Sequence, residues 1–116
     1  MAFERYLKQR SQVDKPRVAV WKTGQIGLNG AALREYGLTE KTHAALFYDR
    51  DKKKIGLRFS ESAKEEGAVK VVRRGGGAMI FAKGFLRYFG IEYSRARRFS
   101  LVFDEKQALY ILQPEG

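Results

Sequence analysis

Gly24-Gln25-Ile26-Gly27-Leu28-Asn29, leading into Ala32-Leu33-Arg34-Glu35-Tyr36-Gly37-Leu38, has a second occurrence in outline further along the chain. There it reads Gly77-Ala78-Met79-Ile80-Phe81-Ala82, then Phe85-Leu86-Arg87-Tyr88-Phe89-Gly90-Ile91, and the paired glycines are 13 residues apart in both places. Each helix-like segment is followed by an apolar run, a charged turn and a second apolar run. These are residues 44–48, 49–53 and 55–59 in one occurrence and 99–103, 104–106 and 108–112 in the other. The pattern reads as an internal duplication.

Working outward, residues 17–21 alternate as a strand, with Val18 and Val20 on one face and Arg17, Ala19 and Trp21 on the other. Lys22-Thr23-Gly24 makes a turn, residues 26–28 a brief second strand, and Asn29 is a helix N-cap. The helix is held to about two turns, because Gly37 stands where a left-handed C-terminal residue is wanted and Leu38 follows as its apolar contact. Ala32, Leu33 and Tyr36 form its buried stripe, and Arg34 and Glu35 lie nearer solvent. Residues 44–59 read as a hairpin, with Ile55, Leu57 and Phe59 sharing a face.

The second occurrence follows the same plan: strand 69–72, a loop at 73–77, strand 78–81, a helix at 82–89 ended by Gly90, and a last hairpin. Each unit is therefore β-β-α-β-β. Short strands separated by tight turns predict a mainly β (α+β) molecule, a small barrel-like structure with two short helices packed outside it. The expected organisation is a basic arm at 1–16, repeat 1 at 17–60, a linker at 61–67 and repeat 2 at 68–113. A unit of about 50 residues cannot bury its own apolar face, so the two repeats share one core and fold as one domain. Within the arm, Phe3, Tyr6 and Leu7 have helical spacing.

The composition narrows the function. In 116 residues, 44% hydrophobic and 13% aromatic content suffices for a core. Lys and Arg outnumber Asp and Glu by 23 to 13, a net charge of +10, which concentrates polyanions, and nucleic acid is the commonest of these. The competing account of the charge is solubility alone. No cysteine is present, which removes disulfides and thiolate metal sites. The first residues are charged and carry no long apolar segment, so the expectation is a cytoplasmic protein without signal peptide or membrane span. His43 is the only histidine and stands in no carboxylate-histidine spacing, so neither enzyme activity nor a cofactor or metal is expected.

The repeated unit resembles the AbrB/SpoVT family of swapped-hairpin, or looped-hinge-helix, DNA-binding domains. Residues 20–29 sit on that family's strand-turn motif, and Leu33-Arg34-Glu35-Tyr36-Gly37-Leu38 on its Leu-Arg-x-x-Leu-Gly-Ile helix. The second copy matches through Gly77, Phe81, Arg87, Gly90 and Ile91. Gln25 and Ala78 stand where the family has arginine, Asn29 and Ala82 where it has proline, and Trp21 where it has aspartate. The resemblance implies tandem copies, as in MraZ-like members, that close one pseudo-twofold barrel of exchanged hairpins within a single chain, with further homodimerisation open. It also implies a transcriptional regulator or antitoxin-like factor on duplex DNA.

Arg34 and Arg87 occupy equivalent helix positions and match the family's basic helix residue, which on duplex DNA contacts phosphates or bases. The alternative is a solvated helix arginine paired with an acid such as Glu35. Lys22, Arg73 and Arg74 flank the loops, where Gly75-Gly76-Gly77 allows backbone to approach a phosphate closely; a glycine run is equally an ordinary flexible loop. Arg17 and Lys83 complete the candidate set. Arg95, Arg97 and Arg98 fall between helix and hairpin, off the expected DNA face, and Arg50, Lys52, Lys53 and Lys54 form a solvated turn tip. The phenylalanines Phe47, Phe59, Phe81, Phe85, Phe99 and Phe103 are expected to face inward. Two further functions stay open: a protein-interaction or structural module, and an RNA or single-stranded nucleic-acid binder using exposed aromatics. Convergence of Lys22, Arg34, Arg73, Arg74 and Arg87 on one face favours duplex DNA, and aromatics exposed beside the cluster favour a single strand.

Overall fold

A computed structural model describes residues 2–3, 15–62 and 66–114. The elements run β1 (Val18–Val20), β2 (Gln25–Leu28), α1 (Gly30–Glu35), β3 (His43–Asp49), β4 (Lys54–Ser60), β5 (Val69–Arg74), β6 (Gly77–Phe81), α2 (Lys83–Tyr88), β7 (Arg97–Asp104) and β8 (Leu109–Pro114). The helix expected around Tyr6 and Leu7, and linker residues 63–65, lie outside the described residues.

The strands close an antiparallel barrel in the order β1-β2-β6-β5-β3-β4-β8-β7, with β7 pairing back onto β1. This order is unchanged when β1–β4 are exchanged for β5–β8. Each first hairpin pairs with the last hairpin of the other half, β1 with β7 and β5 with β3. Closure leaves no free edge among these strands.

Strand alternation fills the interior. Val18, Val20, Ile26, Leu28, Ile80, Leu57 and Leu112 point inward and are buried, joined by Leu33 of α1 and Leu86 of α2, and no described polar or charged residue is buried. Each such aliphatic side chain contributes about 1.5–3 kcal/mol by leaving water, so the sealed interior carries the fold. Asn29 caps α1 as expected, its Oδ1 accepting from Ala32 N at 2.9 Å, and Gly37 takes the left-handed conformation after the helix at φ 65°. The same Oδ1 accepts from Arg17 N at 3.0 Å, and Nδ2 donates to Lys15 O at 2.7 Å, so one side chain ties the entering chain to the helix start.

The two long hairpins turn alike. Asp49 Oδ1 accepts from Asp51 N and Lys52 N, both at 3.0 Å, and Asp104 Oδ1 accepts from Lys106 N at 2.9 Å and Gln107 N at 3.3 Å. Four residues after each aspartate a left-handed residue closes the turn, Lys53 at φ 56° and Ala108 at φ 55°. Gln107 Nε2 donates to the other Asp104 oxygen at 2.8 Å, and this bond with the backbone donors holds the Asp104 carboxyl below the usual range.

Three expectations need correction. Residues 73 and 74 belong to β5 rather than to a loop, because the connection to β6 is only Gly75-Gly76, with φ 55° and 85°, between the paired Arg74 and Gly77. Two central residues with positive φ are what a type I′ hairpin turn requires. The counterpart of left-handed Gly24 (φ 86°) is therefore Gly76, not Gly77. Likewise Arg97 and Arg98 are the first residues of β7, not a link between helix and hairpin.

The third correction concerns the phenylalanines. Phe99 is buried and Phe59 and Phe85 pack against the core, but Phe81 is 52% exposed, Phe103 47% exposed, and Phe47 lies on the outer face under the Arg58 guanidinium, 5.0 Å from the ring centroid. β6 has five residues against four in β2, and Ile80 is the one that pairs with Ile26 inside. Phe81, the next residue, pairs with Gln25 and points out, since successive side chains alternate. Phe103 has the inward parity of Leu101 but sits at the end of β7, resting against Tyr110 with centroids 4.8 Å apart.

Candidate nucleic-acid interface

The outer face of β1, β2, β6 and β5 is floored by small residues. Register aligns Arg98, Ala19, Gly27, Met79 and Val72 in one row across β7-β1-β2-β6-β5. The next row holds Trp21, Gln25 and Phe81: Trp21 N donates to Gln25 O at 2.8 Å, and Gln25 pairs with Phe81. With only Ala19 and Gly27 at the centre, the face is hollowed into a groove of about 700 Å³, whose walls include Arg17, Arg74, Arg98, Trp21, Met79 and Gly75. The Trp21 indole reaches this floor with its pyrrole edge, and a Cβ added to Gly27 would fall 2.6 Å from its Nε1. Trp21 is 47% exposed.

Among the described residues the single ion pair is Lys41 with Glu61, at 3.6 Å, so no carboxylate neutralises Arg17, Arg74 or Arg98. Their field is left for an external anion, and it acts over a concave surface that keeps it from spreading into water.

The ends of the face are built by turn-helix contacts. Gly24 packs on Lys83, whose Cβ would be 2.7 Å from a Cβ added there, and Ala82 N donates to Gly24 O at 2.9 Å. At the other end Gly30, the first residue of α1, sits under Gly76 O, and Arg34 Nη1 folds back over the same spot, each 3.0 Å from a Cβ built on Gly30. Thus the β1–β2 turn, which holds Lys22, meets α2 at Lys83, and the Gly75-Gly76 turn after Arg74 meets α1 at Gly30, where Arg34 folds back.

The candidates divide accordingly. Arg17 and Arg74 line the groove, Arg34 stands at its Gly75-Gly76 end, and Lys22 and Lys83 stand at the opposite end. Arg73 shares the inner side of β5 with Val71, and its Nη2 donates to Lys41 O at 2.9 Å, Leu38 O at 3.2 Å and Thr39 O, bracing the chain after α1. Arg87, an exposed residue in the last turn of α2, lines no part of the groove. Like Arg34 it is basic at a helix C-terminus, where it offsets the partial charge of the last carbonyls. The five cations whose convergence was to favour duplex DNA do not all meet.

The groove residues Arg98 and Trp21 stood outside the candidate set. Arg98 is carried there by β7 pairing with β1 of the other half, and the only local signal is the continuation of strand alternation backward from Phe99 through Arg97. Phe81, which pairs with Gln25 on the same face without lining the groove, was expected inside. The outer face of the other four strands is also hollowed, at about 810 Å³, and its lining mixes Val102, Phe103, Phe47 and Ile111 with both acids and lysines. Among the described residues no helix is long and apolar enough to cross a membrane. No family model, curated protein or solved structure matches this chain.

Proposed function

We propose that this chain is a nucleic-acid-binding protein that lays a phosphate backbone along the outer face of β1, β2, β6 and β5. The observation that carries this reading is the groove in which Arg17, Arg74 and Arg98 stand without a carboxylate partner among the described residues. Three guanidiniums around a floor of alanine and glycine suit a polyanion: they supply charge and donors, and the floor lets the backbone approach.

The finer reading is a pair of tandem copies exchanging hairpins, on the AbrB/SpoVT plan, in a transcriptional regulator or antitoxin-like factor of the cytoplasm. It is supported by a strand order that maps onto itself, by the matched turns at Asp49 and Asp104, and by each turn abutting the helix of the other half. Duplex DNA is the ligand that this plan implies.

The test is fluorescence anisotropy with labelled DNA across a salt series, for the native chain and for Arg17→Ala/Arg74→Ala/Arg98→Ala. Binding should weaken linearly in log-log form with salt, and the triple variant should flatten the slope by about 2–3, close to one for each phosphate left without its arginine. An unchanged slope in the triple variant would show that the polyanion sits elsewhere.

A further inference from the structure

We infer that the strand taken by this groove is unpaired: a base of single-stranded nucleic acid stacks on Trp21 while Arg17, Arg74 and Arg98 hold the flanking phosphates. The inference rests on the nucleic-acid reading above and names its ligand class, a single strand in place of the duplex that the AbrB/SpoVT plan implies. Charge alone does not require an aromatic floor. Yet the two outward rings of this face, Trp21 and Phe81, stand on either side of Gln25 in one row, with the Met79 thioether in the next row.

The Trp21 ring is also placed. Gly27 leaves room for the pyrrole edge of the indole, whose Nε1 any β-carbon would meet at 2.6 Å, so the ring is held against the centre of the face. The ring is held there yet stays 47% exposed, so it is open to stacking by a flat partner, which is how sequence-tolerant single-strand platforms work. A duplex has no such partner to give along its length, because its base faces are already stacked on one another. Arg98 on β7 and Arg74 on β5 stand on opposite sides of β1, β2 and β6, Arg98 in the row next to Trp21 and Arg74 one row further, so a strand crossing the sheet obliquely meets a cation on either side of the central strands.

Trp21 is the only tryptophan in the chain, so its emission reports on this position alone. The full chain is titrated with the oligonucleotides dT10 and rU10, with an abasic strand of the same length and backbone, and with a ten-base-pair duplex. Tryptophan emission and anisotropy of the labelled nucleic acid are followed together. Quenching by dT10 or rU10, with affinity about tenfold or more above the abasic strand, is the expected result, since stacking on one aromatic is worth about that factor. Comparison of dT10 with rU10 shows whether the site prefers a DNA or an RNA strand.

Trp21→Ala should lose about tenfold for the base-bearing strand and leave abasic binding unchanged, and Trp21→Phe should recover part of the loss. Gly27→Ala tests the same point without removing the ring, by displacing the indole from the floor. Equal affinity for abasic and base-bearing strands, or tighter duplex binding with unaltered emission, overturns the stacked base and leaves nucleic-acid binding standing. Absence of anisotropy change with all four probes at low salt overturns the nucleic-acid reading itself.

Discussion

At the scale of single residues, space rather than propensity decides what several glycines do. A Cβ on Gly77 would collide with the Leu28 carbonyl oxygen, and that oxygen belongs to the backbone at the entrance to α1, which has no side-chain freedom with which to retreat. Gly84 has no heavy atom within 4 Å of the same construction and lies in the first turn of α2 with an ordinary helical φ. The expected outcomes therefore have opposite signs. Gly77→Ala should destabilise by about 1–3 kcal/mol through overpacking, and Gly84→Ala should stabilise by about 0.5–1 kcal/mol by removing backbone freedom from the unfolded chain. Urea unfolding of the two variants beside the native protein checks both. A Gly77→Ala midpoint equal to the native one would mean that β6 shifts away from α1 at no cost.

At the scale of elements, the two helices were legible for reasons that the structure shares. Asn29 and Gly37 bound α1 where the sequence placed them, and Gly90 follows α2 in the left-handed conformation, φ 65°. The long hairpins were legible because an aspartate and a short polar run punctuate each one. What could not be read locally was anything that depended on pairing between halves. Arg98 joins the groove only because β7 lies on β1, and Phe81 faces out only because β6 aligns Ile80 with Ile26. A one-residue change of register sends a whole run of side chains to the other face, and a repeat aligned by its glycines hides such a change. Arg73 was legible as a charge but not as a brace, since the carbonyls it reaches follow the other half's helix. The helix caps themselves differ: Ala82 offers α2 no side-chain acceptor, whereas Asn29 serves Ala32 N, Arg17 N and Lys15 O together. Asn29→Ala should cost about 1–2 kcal/mol. Its effect should also reach β1, with faster amide hydrogen exchange at Arg17 as well as at Ala32. Exchange altered at Ala32 alone would confine Asn29 to an ordinary cap.

At the scale of the whole molecule, the two halves are joined to each other by four separate ladders: β1 to β7 and β5 to β3 at the outer joins, β2 to β6 and β4 to β8 at the inner ones. Residues 17–62 alone would keep the β1–β2 and β3–β4 ladders but leave all four strands with an unpaired edge and expose the inner faces of Ile26 and Leu57. Two isolated hairpins and a six-residue helix fall below what a short chain needs to fold in water. The self-mapping strand order offers that fragment one escape, which is to pair with a second copy of itself in place of residues 66–114. Expressed alone at low concentration, the first half should therefore show little ordered β signal by circular dichroism. It should gain that signal either on addition of the second half or, as concentration rises, together with a doubling of mass in sedimentation. Recovery with the second half ties the fold to its interleaved pairing. Self-pairing would in addition support two copies descended from one unit, since only a fragment carrying the complementary surface of its own twin can close a barrel with itself. A first half that folds as a monomer would contradict both, because its core would then need nothing from β5 to β8.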